Sequence, residues 1–172
     1  MALLAALTLT GCNGGDDPAD PMSTWTPSGT IDTPSSAAPT VDPLTEAPKG
    51  ETAKQFIRRW VALSNRMQET GQTEAFLAVA GPDCDSCHEY ADQVAKIYEN
   101  DGYLTGGTEQ ILSLRAESAT QWVVVMNAEP TEYAEAKGAE PKSLAGGKYK
   151  SRLYLAHVDG KWIVGATEGL PL

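Results

Sequence analysis

Lys148-Tyr149-Lys150-Ser151-Arg152-Leu153-Tyr154-Leu155-Ala156-His157-Val158-Asp159-Gly160-Lys161-Trp162-Ile163-Val164-Gly165-Ala166-Thr167 is the stretch whose reading decides the fold. Its side chains alternate as a strand requires, and Asp159-Gly160 supplies two residues that tolerate the backbone of a tight hairpin turn. Residues 148–158 and 161–167 are therefore read as paired antiparallel strands. In that register His157 stands opposite Trp162 and Leu155 opposite Val164. Leu153, Leu155, His157, Trp162, Val164 and Ala166 are then expected on one face.

Upstream, the same period runs through residues 109–116 and 121–128, joined by a tight connection. Trp122, Val124 and Met126 share one face of the second strand, and Val123 and Val125 the other. Pro130 lacks the donor a ladder needs and ends it. The polar, glycine-containing residues 131–147 read as a long loop, and residues 103–105 as a short strand before Gly106-Gly107.

Before Gly102 the period is 3.6. Thr52-Ala53-Lys54-Gln55 reads as a capping box, and Phe56, Trp60, Leu63 and Met67, widened by Ile57 and Val61, form a helical stripe that Gly71 closes. Thr73 caps a short second helix over residues 74–80, which Gly81-Pro82 stops. A third helix starts with Asp83 or Asp85 as its cap and buries Cys87, Tyr90, Ala91, Val94, Ile97 and Tyr98. Three helices followed by antiparallel strands define an α+β class. This order, closing on Gly160-Lys161-Trp162-Ile163, resembles the nuclear-transport-factor-2-like (cystatin-like, SnoaL-like) fold over residues 51–169. The resemblance implies three helices packed in one curved, mostly antiparallel sheet, shaped as a cone.

The N-terminal third reads differently. Residues 2–10 are a short apolar run followed by Leu9-Thr10-Gly11-Cys12, the pattern of an export signal ending in small residues. Leu9-Thr10-Gly11-Cys12 resembles the lipobox of bacterial lipoproteins, which implies cleavage before Cys12 and a diacylglycerol on its sulfur. The run is too short to span a bilayer, and the lack of a preceding Lys or Arg is what a truncated signal would show. Seven of the 11 prolines lie between residues 13 and 50, with six acids against Lys49. Such a segment buries too little apolar surface to fold and serves as a spacer. Trp25 is its one isolated aromatic residue. The organisation expected is a signal peptide over residues 1–11, a lipidated Cys12 with a disordered tether to residue 50, and a folded domain over residues 51–172. Lipobox and tether, together with Phe56-Ile57-Arg58-Arg59-Trp60, Gly81-Pro82-Asp83-Cys84-Asp85-Ser86-Cys87 and Gly102-Tyr103-Leu104-Thr105-Gly106-Gly107, resemble an uncharacterised family of actinobacterial lipoproteins. Its name records only that its function is unknown, so the resemblance implies export and tethering and no activity.

Chemistry concentrates in Cys84-Asp85-Ser86-Cys87-His88. In an oxidising compartment the two close cysteines are expected to form a disulfide across the helix start. Two other readings stay open. One is a redox-active thiol pair at a helix N-terminus. The other is c-type haem attachment through Cys84, Cys87 and His88, with Met126 or His157 as second axial ligand. His157 is the one catalytic candidate, as a residue lining a pocket between sheet and helices, but no orienting carboxylate is identifiable in the sequence. No metal site, phosphate loop or cofactor is expected. The charge of −10 and pI of about 4.6 exclude a nucleic-acid partner, which requires a basic face. The reading that results is a domain lipid-anchored to the outer face of the cell membrane, binding an unknown small ligand or a cell-envelope protein. An isomerase or cyclase using such a pocket is the alternative, with an electron carrier behind it.

Overall fold

The computed structural model describes residues 44–172; the expected signal peptide, Cys12, Trp25 and most of the tether lie outside them. Among these residues the elements run α1 (Ala53–Thr70), α2 (Glu74–Leu77), α3 (Asp85–Glu99), β1 (Tyr103–Gly106), β2 (Glu109–Ala116), β3 (Gln121–Ala128), β4 (Thr131–Ala134), β5 (Lys142–Leu144), β6 (Gly147–Val158) and β7 (Lys161–Leu170). The protein is α+β, with helices first and antiparallel strands after.

The capping box holds α1 at its start: the Gln55 amide donates to Thr52 Oγ1 and the Thr52 amide to Gln55 Oε1. Gly71 closes the helix at φ 73°, and a Cβ there would sit 2.4 Å from the Tyr98 ring, so both backbone and space exclude a side chain. Phe56, Ile57, Leu63 and Met67 are buried to 2% exposure or less, against Phe76, Val94, Val124, Met126, Leu153 and Val164. Fully burying one such side chain contributes roughly 1.5–3 kcal/mol, so this layer of α1 on sheet holds the domain together.

The expected single curved sheet is two: β2-β3-β6-β7 and β1-β4-β5. The break has a local cause. Gly106 and Gly107 are both left-handed, at φ 76°, and Pro130 faces them without an amide hydrogen to donate. Both chains therefore leave the ladder at one level, and β1 and β4 continue as a separate pair. The expected loop over residues 131–147 accordingly contains β4 and β5. Those strands hold four and three residues, too short for an alternating pattern to register in sequence.

The hairpin register holds at its tip, with His157 opposite Trp162 and Leu155 opposite Val164. A bulge then inserts Gly165, so Ala166 faces Tyr154 and Thr167 faces Leu153. Ala166 thus leaves the face expected for it, because one extra residue reverses the alternation. The second helix is shorter than expected. Its tail runs alongside β7 instead, where Val164 N–H donates to Val79 O at 2.9 Å and Gly81 N–H to Val164 O at 2.7 Å. Neither Asp83 nor Asp85 caps α3; Cys84 occupies the cap position with no side-chain capping bond, and Asp85 lies in the first turn.

Ahead of α1, Glu51 and Arg59 form a bidentate pair at 2.7 Å, with side chains 4% and 8% exposed. Arg59 also donates to Leu44 O and Trp162 Nε1 to Glu51 O, and Leu44 packs on the core. Leu44, which the sequence reading places in the tether, thus packs against the domain. Removing one partner of a buried pair strands the other charge. Arg59→Ala is expected to cost about 3 kcal/mol, read as a lower urea midpoint at unchanged slope.

Candidate functional site

The left-handed pair Gly106-Gly107 turns the chain into β2, and Glu109 opens that strand on the face it shares with Ile111. Asn65 of α1 clamps this point: its Nδ2 donates to Glu109 O at 3.0 Å, and Glu109 N–H donates to Asn65 Oδ1 at 2.9 Å. With its backbone held from the helix side, the half-buried Glu109 side chain enters the interior. There Tyr149 Oη of β6 donates to Glu109 Oε1. The Ser64 hydroxyl of α1 lies within hydrogen-bonding reach of Glu109 and of Tyr90 on α3.

Burial pushes the Glu109 carboxyl above the usual carboxylate range, and the Tyr149 and Ser64 hydrogen bonds pull it partly back. The Tyr149 phenol is pushed up by burial and then by the Glu109 charge. Burial and Glu109 likewise push Tyr90 up, against Ser64. Both phenols therefore stay protonated and act as donors around a carboxyl whose proton is held more tightly than in water.

Two cavities meet at this cluster. The larger, about 630 Å³, lies between α3 and the strands and has walls from Val94, Ile97, Leu104, Tyr133 and Leu144. The smaller, about 180 Å³, is lined by Trp60, Ser64, Phe76, Cys87, Tyr149 and Leu153. Glu109 and Tyr90 line both. Trp60 is 8% exposed and its Nε1–H has no partner; an unpaired buried donor costs about 1–3 kcal/mol. The arrangement offers a chamber with an apolar wall and a half-buried carboxyl among hydroxyl donors, with Lys96, Glu129 and Glu135 also on the border of the larger cavity.

The residues singled out in sequence lie elsewhere or at the rim. Cys84 and Cys87 are buried, with Cα atoms 5.3 Å apart and sulfurs in bonding contact at 2.05 Å, a disulfide-capable pair. Cys87 borders the smaller cavity. His88 Nε2 is 3.1 Å from Gly81 O, and Met126 is a core residue. His157 does not line the expected pocket: it is exposed beside the hairpin turn, its ring 4.8 Å from that of Trp162. The reason is length, since β6 carries it beyond the residues packed on the helices. Among the described residues no group of His, Cys, Asp and Glu is arranged to hold a metal ion, and no helix is long and apolar enough to cross a membrane. Glu109, Tyr149, Tyr90 and Ser64 escaped the sequence reading as site residues. The signal was an acid on the apolar face of β2 and a serine inside the α1 stripe.

The fold and this chamber define a small α+β domain with a polar-ended interior. The chain belongs to the family of unknown function DUF6318, whose profile matches residues 34–168. No curated protein matches the sequence. Similar solved structures include the intermembrane space region of the chloroplast protein ARC6, at 12% identity and TM-score 0.49, covering 69% of this chain and 93% of that one. A domain of unknown function with a cystatin-like fold from Nostoc punctiforme is 12% identical at TM-score 0.45, covering 67% and 75% respectively. A hexachlorocyclohexane dehydrochlorinase of LinA type3 from Novosphingobium barchaimii is 12% identical at TM-score 0.48, covering 68% and 84%.

Glu109 holds its proton more tightly folded than unfolded, where it releases it near 4.5. Above that pH the unfolded chain ionises first, so ionisation costs the folded state stability. Wild type is expected to lose stability relative to Glu109→Gln as pH rises from about 4 to 7. Paired urea melts at each pH measure the difference, and the lowered carboxyls of Glu117 and Glu168 act alike in both proteins.

Proposed function

We propose that this chain is a lipid-anchored extracytoplasmic binding domain on a cone-shaped, nuclear-transport-factor-2-like frame, taking a small, largely apolar ligand with a polar end. The observation that carries the reading is the meeting of two cavities at Glu109, where apolar walls give way to a carboxyl, two phenols and the unpaired Trp60 donor. Binding sites of this kind are concave and mostly apolar, with a few convergent polar groups. Leu9-Thr10-Gly11-Cys12 and the proline-rich segment after it support the anchor and the outward location. A Cys84–Cys87 bridge would fix the first turn of α3, the helix that brings Tyr90 to the chamber.

A second reading, an isomerase or cyclase, is favoured by one observation. Glu109 has the raised carboxyl and adjacent phenol donors that proton transfer between carbon atoms requires. Under that reading the acid/base residue is Glu109, and His157 has no part.

The neutral fluorescent amphiphile N-phenylnaphthylamine is expected to bind saturably, at one probe per chain. Ile97→Trp, which fills the larger cavity, should weaken it by about tenfold, or about 1.4 kcal/mol, with unchanged circular dichroism. Absence of saturable binding overturns the pocket reading. Intact mass of membrane-extracted protein tests the anchor and the bridge. A diacylglycerol on Cys12 is expected, with Cys84 and Cys87 unreactive to alkylation until reductant is added. An unlipidated protein in the soluble fraction overturns the anchor, and alkylation without reductant overturns the bridge.

A further inference from the structure

We infer that the occupant of the chamber is a cationic amphiphile, an alkylammonium-like molecule whose charged head pairs with Glu109. This rests on the pocket reading above and names the chemistry of its ligand.

Glu109 is a carboxyl drawn into the interior without a basic partner. Facing it are Ser64 of α1, Tyr90 of α3 and Tyr149 of β6. Lys54 and Arg58 line a separate groove of about 480 Å³ along α1 that also touches Glu109. Among the described residues, however, no Lys or Arg forms an ion pair with it; the pairs are Arg59–Glu51, Arg115–Glu117, Lys142–Glu135, Arg152–Glu117 and Arg152–Glu168. Its hydrogen-bonding neighbours are hydroxyls alone. A carboxyl in such a place is satisfied by keeping its proton or by gaining a cation from outside.

The larger cavity points the same way. Glu129 and Glu135 border it with Glu109, against Lys96, and Glu135 pairs with Lys142 at 2.7 Å. The Tyr133 ring of its wall already has the Lys142 ammonium 5.9 Å from its centroid. A net charge of −10 concentrates cations around the whole protein. An anionic head would meet Glu109 as a like charge, and a neutral head would leave the carboxyl to its proton. A cationic head lets it ionise and pair. The alkyl part then lies along Val94, Ile97, Leu104 and Leu144.

Because a bound cation favours the ionised carboxyl, binding releases a proton wherever the free protein still holds it, and affinity climbs with pH through the range in which Glu109 titrates. The ligand's own ammonium stays charged throughout, as its kind titrates near pH 10.

The test is calorimetry on the full chain with octylammonium, octanol and octanoate, which share one alkyl length. Octylammonium should bind about tenfold or more tighter than octanol, with octanoate weakest. Its affinity should rise with pH, and the proton released should appear as a buffer-dependent heat. In Glu109→Gln the preference and the pH dependence should both vanish while octanol still binds. Octanol equal to octylammonium, or octanoate tightest, overturns the cationic ligand and leaves the pocket standing. A preference that survives in Glu109→Gln overturns Glu109 as the counter-ion. Binding of none of the three overturns the pocket reading itself.

Discussion

Both ends of the Asn65 amide are committed to the backbone of one residue, Glu109. This contact joins α1 to the first residue of β2, across 44 positions of sequence. A helix side chain that pairs with a strand's backbone fixes both the strand's height and its rotation. The side chain of that strand residue then has one way to go, inward. Burial of the Glu109 carboxyl, its meeting with Tyr149, and the raised proton affinity of three neighbouring groups follow from that orientation. The apolar layer of α1 on the sheet makes the domain stable, while the amide clamp gives it a polar centre.

The first helix was legible because it is written twice, in period and in caps, and the third by its period alone. Thr52, Gln55 and Gly71 bracket α1 as the capping rules require. The long strands were legible because β6 and the part of β7 before Gly165 alternate on either side of Asp159-Gly160. The sheet's division was hidden, since nothing local says that Gly106-Gly107 and Pro130 will face each other. The Gly165 bulge was hidden for a related reason: a strand shows its alternation, but only its partner shows where a residue is extra.

The site was less legible than the fold. His157 drew attention because histidine is chemically versatile, yet position near the turn left it in solvent. Glu109 looked like an ordinary polar start to a strand, and Ser64 like a small residue in an apolar stripe. Their chemistry arises from four segments converging, Ser64 from α1, Tyr90 from α3, Glu109 from β2 and Tyr149 from β6, and no single segment carries it. Cys84 and Cys87 were conspicuous because they are close in sequence, and closeness in sequence is the one kind of convergence a linear reading displays directly.

The tail of α2 has a further effect where it runs beside Val164. A terminal strand ordinarily exposes a row of unused amides and carbonyls that another chain can adopt as a template. Here the Val164 amide and carbonyl are both taken by Val79 and Gly81 of the same chain. At the opposite border of that sheet, β2 is interrupted by a bulge around Leu112, and the outermost strand of the smaller sheet, β5, is three residues long and carries Lys142. At Val164, then, the outer edge of β7 is closed to a strand from another copy of the chain by the chain's own backbone.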